Sequence, residues 1–207
     1  AQISLVNAID KSFMSAKWFF DKNSYYKENL STIASDLSDK IYPKTPVIKN
    51  ELINRSNPSN IAVGARYKLL CKMSENFDQE DFGIEGHPPE KSFYLSLLKH
   101  TGIHQKFENH WNISTPSKKE GYSIKLIFKE IDRQLENTTQ QTTFQNLYNA
   151  LSKPPYGMLQ GTIPIFLLSY YFANKDKVAI YEEGIYCAEI DKELIDTLLI
   201  SPQRISL

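Results

Sequence analysis

Ile163-Pro164-Ile165-Phe166-Leu167-Leu168-Ser169-Tyr170-Tyr171-Phe172-Ala173 carries no charge and, apart from its tyrosines, only the small hydroxyl of Ser169. A helix that is apolar all round has no face to give to water and must be covered on every side. Pro164 stands where such a helix begins, a position that tolerates a missing N–H. Pro154-Pro155-Tyr156-Gly157-Met158 precedes the block. After it, Lys177–Glu182 and Ile185–Ile190 place β-branched and aromatic residues on either side of Glu183-Gly184. That pattern predicts a two-stranded hairpin closed by a tight turn.

Two amphipathic helices are expected ahead of the block. Ile124, Ile127, Phe128, Ile131 and Leu135 mark the first, and Phe144, Leu147, Tyr148 and Leu151 the second. Helix, helix, buried helix, hairpin is the element order of a winged-helix domain. After the hairpin, Asp191 is placed to cap a closing helix bearing Leu194, Ile195, Leu198 and Leu199, which Pro202 ends. A boundary is expected in the polar run from Thr115 to Gly121, which divides the chain into a helical domain, 1–115, and a winged-helix-like domain, 116–207. The fold class is therefore mainly α with a small β-hairpin.

Within 1–115, helices are expected over Lys11–Phe20 and from Ser31, the latter with Leu30, Ile33, Ala34 and Leu37 at helical spacing. Pro43 and Pro46 stop it, because a residue before proline is pushed out of the helical region. Asn50–Arg55 reads as a short helical turn. Ser59 or Asn57 caps the next helix, whose inner stripe is Ala62, Ala65, Leu69 and Met73. A loop spans Asn76–Lys91, a helix runs from Ser92 to Thr101, and 103–121 is expected to be irregular, anchored by Phe107, Trp111 and Ile113.

The chain has 207 residues, 41% hydrophobic and 23% charged, with zero formal net charge, so no global field draws it to nucleic acid. Cys71 and Cys187 have no cysteine neighbours at metal-ligand spacing and are expected as two buried thiols of a reducing compartment. No apolar run reaches the ~18 residues of a membrane span and no leader pattern opens the chain, which predicts a cytoplasmic protein without membrane contact.

Pro154-Pro-Tyr-Gly-Met-x-x-Gly-x-Ile-Pro164, the hairpin with Tyr181 and Gly184, and Leu198-Leu199-x-x-Pro202-x-x-Ile205 resemble one region of very large bacterial phage-defence ATPases of the BREX type. Asn50-Glu-Leu-Ile-Asn-Arg55 and the Ala65-Arg66-x-x-Leu-Leu70 helix add to the resemblance, which spans most of 40–207. It implies an accessory piece of a longer protein, partnered by the rest of that ATPase chain or by other defence proteins. These 207 residues hold no Gly-x-x-x-x-Gly-Lys-Ser/Thr loop, so the implied nucleotide chemistry lies elsewhere in the parent. No cofactor is implied for this chain, and no Gly-x-Ser-x-Gly elbow marks a nucleophile, so no enzymatic activity is expected of it; an enzyme whose nucleophile arrangement spacing alone does not reveal is the remaining alternative.

Three groups of residues are candidates for function. Arg66 resembles the arginine that AAA-type ATPases present to nucleotide from a helix, where a guanidinium neutralises charge on the γ-phosphate. Glu51 and Arg55 would accompany it as nucleotide-proximal residues. The alternatives are that Arg66 pairs with Glu51 or Asp78, and that Glu51 and Arg55 form a local helix ion pair. Lys118, Lys119, Lys125, Lys129 and Arg133 stand against Glu120, Glu130 and Asp132. They form either a solvated face or a surface that contacts DNA phosphates without reading sequence. The apolar third helix has no arginine, lysine, asparagine or glutamine to read a base edge, and Glu182-Glu183-Gly184 makes the wing tip acidic. Third, His100 and His104 are four apart, as a zinc pair on one helix face would be, but Gly102 between them favours two separate histidines.

Overall fold

The structure, a computed structural model, describes residues 18–20, 23–25, 30–54, 57–117 and 119–207. The chain separates into two compact units, Ala1–Pro43 and Lys44–Leu207. Among the described residues it is mainly helical, with small antiparallel sheets.

In the first unit, β1 (Trp18–Phe20) pairs antiparallel with β2 (Asn23–Tyr25), Trp18 opposite Tyr25. A helix was expected to reach Phe20. Three consecutive aromatic residues suit a pleated strand, and Trp18–Phe20 form one; the rest of that expected helix lies outside the described residues. α1 (Leu30–Ile41) ends just before Pro43, as the sequence predicts.

The second unit opens with an extended stretch against the loop before the apolar block. The Lys44 amide donates to the Pro155 carbonyl at 3.1 Å and the Thr45 hydroxyl to that of Tyr156 at 2.6 Å. α2 (Asn60–Asn76) starts at Ser59, whose hydroxyl accepts from the Ala62 amide and so satisfies one of the first-turn donors. Ala62, Ala65, Leu69, Leu70 and Met73 are buried along it. α3 (Pro89–Tyr94) begins three residues earlier than predicted, with Pro89 in its first turn where no N–H is needed, and runs on through a wide turn at Leu95–Lys99.

The expected irregular stretch contains a hairpin. β3 (His104–Phe107) pairs with β4 (His110–Ile113), His104 opposite Ile113. Glu108 closes it at φ 50°, a conformation usually left to glycine. Ile113 is an anchor, but Phe107 is exposed. The hairpin carries His104 inward. Its Nδ1 lies 2.8 Å from the Tyr94 hydroxyl and its Nε2 3.0 Å from the Phe77 carbonyl. His100 is exposed, so the two histidines do not share a face.

α4 (Tyr122–Glu136), α5 (Phe144–Ser152) and α6 (Ile163–Ala173) follow. Every residue from Ile163 to Tyr170 is buried. Its cover comes from more than the two preceding helices and the hairpin. Ser169 lies against Met73 of α2, and the helix also packs on β4. A cylinder without a polar face needs this many neighbours, and a hairpin of two-residue strands is too small to supply them. On its α4 side, Phe128 meets Tyr170 edge to face at 5.4 Å, and the Tyr170 hydroxyl donates to Asp132 at 2.6 Å.

β5 (Tyr181–Glu182) and β6 (Ile185–Tyr186) flank Glu183 and Gly184, both at positive φ as a tight hairpin turn requires. Asp191 caps α7 (Lys192–Ile200) by accepting from the Leu194 amide at 2.8 Å. Beyond it, β7 (Ile205–Ser206) pairs with β5. Leu207 exchanges two 3.0 Å backbone bonds with Thr142. The boundary expected near Thr115 falls inside this unit, and buried side chains from both sides of it join one cluster. Gly121 runs so close to residue 101 that a Cβ there would stand 2.2 Å from the Thr101 carbonyl oxygen. Cys71 is buried, whereas Cys187 is only partly so.

Candidate functional site

Arg66 follows Ala65 on α2, at the edge of that helix's buried stripe, and is itself half-buried. Its Nε is buried and has no hydrogen-bond partner. Neither anticipated partner reaches it: Glu51 and Asp78 are both exposed, and no described carboxylate pairs with Arg66. Arg55 lies outside the described residues. Burial pushes the Arg66 guanidinium below its usual range, with the Tyr148 phenol acting in the opposite direction. Burial in turn raises Tyr148, the charge on Arg66 opposing it.

The side chain borders a cavity of about 420 Å³. Ile53, Ala62, Met158 and Leu159 give it apolar walls, and Gln160 and Gly161 run along one side. A Cβ placed on Gly161 would stand 3.8 Å from Arg66 Nη1 and 3.7 Å from Ile53 Cγ1. Glu51 is not part of this wall, so the expected Glu51–Arg66 grouping does not assemble at the cavity. Tyr148, Gln160 and Gly161 were not foreseen here. They come from segments far from Arg66 in sequence, and no spacing rule links them to it.

The cationic stripe is divided. Lys119, Lys125 and Lys129 are exposed, and Lys118 lies outside the described residues. Arg133 is committed to Glu130: its Nε donates to Oε2 at 2.9 Å and its Nη2 to Oε1. Glu130, itself buried, also accepts from Gln134 at 2.7 Å and from the Tyr156 hydroxyl at 3.0 Å. Burial raises the Glu130 carboxyl, but these donors outweigh it and leave the group below its ordinary value. None of the described stripe residues lines the Arg66 cavity.

At the β5–β6 turn, Arg204 bridges to Glu182 at 3.1 Å and to Glu183 at 2.9 Å, so a cation covers the acidic tip. Arg204 was not singled out from the sequence, because only the return of β7 beside β5 places it there. Ile185 and Tyr186, on the outer strand, are 74% and 59% exposed.

A second polar cluster surrounds Asp81. Lys91 and Lys99 donate to its two oxygens at 2.6 and 2.7 Å. Burial raises the Asp81 carboxyl, and the two ammonium bonds overcome that and bring it to about 2. Phe82 and Tyr94 pack around His104, whose imidazole is pushed down to about 4 by burial. Tyr94, Phe82 and His104 are closed to solvent, and this cluster braces α3 against β3.

Among the described residues, no helix is long and apolar enough to cross a membrane. No family model matches the chain, and no match was found among curated proteins or solved structures.

Proposed function

We propose that the chain is a non-catalytic interaction and coupling module of a larger ATP-using phage-defence protein, with a winged-helix-like arrangement at its centre. The carrying observation is the pairing of a wholly buried third helix with an apolar wing. Ile163–Tyr170 face the core, while Ile185 and Tyr186 project from an edge strand whose two neighbouring acids share the single charge of Arg204. Exposed aromatic and branched side chains on an unpaired edge suit contact with another polypeptide, by packing or by strand addition. The α4–α5–α6 order, the hairpin and the Thr143–Ser206 bridge support the winged-helix reading. The test is the double substitution Ile185→Asp/Tyr186→Asp in the assembly that contains the chain. The expected result is a normally folded chain with loss of coupled ATP turnover and of protection against phage. Unchanged turnover and protection, or ATP hydrolysis by the isolated chain, would reject the reading.

One observation favours a second reading, sequence-independent DNA contact along α4. Lys125 and Lys129 are exposed one turn apart and make no ion pair among the described residues. Such a row supplies phosphate contacts only, so binding would fall steeply with salt and ignore sequence.

A further inference from the structure

We propose that the cavity beside Arg66 binds a small monocarboxylate carrying an apolar body, with the Arg66 guanidinium holding the carboxylate. The site lies apart from the wing, and its ligand is independent of the interaction reading above.

The cation is the first part of the argument. A guanidinium presents five N–H donors and stays charged in proteins. Taken out of water without a partner it is costly, because no counter-charge replaces its lost hydration. Arg66 is half-buried, and its Nε is in that condition: buried, unbonded, and with no described carboxylate paired to the side chain. Side chains of this kind are kept where something else supplies the missing acceptor.

The charge count narrows the ligand. Among the described residues Arg66 is the only charged one lining the cavity, so those residues offer the site one positive charge. A triphosphate needs several cations and a run of backbone donors. A single carboxylate matches both the charge and the planar fork, which can make two parallel N–H···O bonds to its two oxygens. This separates the site from the nucleotide role expected for Arg66 from sequence.

The walls supply the rest. Ile53, Pro58, Ala62, Val63, Met158 and Leu159 are apolar, and about 420 Å³ is in the size range of small-molecule pockets. Gly161 has no side chain, which leaves the space beside Nη1 open. An apolar acid places its carboxylate on Arg66 and its hydrocarbon against these walls.

The test uses the full chain with 4-methylpentanoate, its neutral isostere 4-methylpentanamide, and inorganic phosphate, read by calorimetry and by the shift in Tm. The expected result is saturable binding of the carboxylate at millimolar concentration, with amide and phosphate at least about tenfold weaker. Arg66→Met should abolish the binding and raise the Tm of the ligand-free protein, because it replaces a half-buried cation with a buried, unbonded Nε by an apolar side chain of similar length. Val63→Asp, at an exposed lining position one turn from Arg66, should fold normally and also abolish binding by supplying an internal carboxylate. Failure of the carboxylate to bind, equal binding of the amide, or tighter binding of phosphate would overturn the assignment. So would a lower Tm for ligand-free Arg66→Met, which would make Arg66 a structural residue.

Discussion

The Tyr94 hydroxyl and His104 Nδ1 meet at 2.8 Å in a pocket closed to solvent, where His104 Nε2 also faces the Phe77 carbonyl. Because a carbonyl only accepts, Nε2 carries the imidazole proton and Nδ1 accepts from the tyrosine. The neutral ring thus uses both nitrogens. Protonating it would turn Nδ1 into a second donor, which the Tyr94 hydroxyl could meet only as an acceptor, with its own proton turned away, and would place a positive charge in a pocket closed to water.

Stability should therefore fall as pH drops from about 6.5 towards 4. Over that interval the unfolded state binds a proton at His104 and the folded state does not, its value being about 4. The unfolded state then holds more protons, so unfolding becomes easier as pH falls. At about 1.4 kcal/mol per pKa unit, the loss is on the order of 3 kcal/mol. A second loss should follow below about 3.8, as Asp81, held at about 2, gives up its bonds to Lys91 and Lys99. Urea midpoints measured across pH should show both steps, and a flat profile between pH 6.5 and 4 would contradict the His104 assignment.

Phe166→Ala should destabilise the chain by about 3–5 kcal/mol, because a fully buried ring leaves a cavity that α2, α4 and α5 cannot collapse to fill. Chemical denaturation would measure it. A loss below about 1 kcal/mol would mean that the helix is less enclosed than its burial indicates.

Gly121→Ala should be far more damaging than a loop glycine ordinarily allows. Its Cβ would stand 2.2 Å from the Thr101 oxygen and 2.4 Å from Pro116 Cβ, so backbone must move. A drop in Tm of several degrees is expected, on the scale of a few kcal/mol. Gly64→Ala is the control: its Cβ meets nothing within 4 Å, and alanine favours helix.

If duplex DNA binds at all, Lys125→Glu/Lys129→Glu should abolish the binding for every sequence while leaving the Tm unchanged, since both side chains are exposed. Arg133→Glu should instead lower the Tm, because it sets a second carboxylate against buried Glu130. Anisotropy over a salt series, beside a melting curve, separates the two effects. Binding that survives the double reversal would move the contact elsewhere.

Much of the fold was legible because its signals are local. The apolar block, the caps Ser59 and Asp191, the proline stops and the Glu183-Gly184 turn each act within one helical turn or one hairpin. Sequence spacing alone therefore determined most helix positions in the second unit and the burial of Ile163–Tyr170. The tertiary structure decided what depends on residues far apart in the chain. Ser206 meets Gln141 across 65 positions, and the return of β7 beside β5 seats Arg204 on Glu182 and Glu183. Gly121 locks against Thr101 where a domain boundary was expected. The β3–β4 hairpin closes through Glu108 without the glycine that would have announced it. Arg66 is the sharpest case. Its place on a helix was readable, but whether an acid reaches it depends on which distant segments fold around it. They bring apolar walls and a glycine, and leave the buried Nε without a partner.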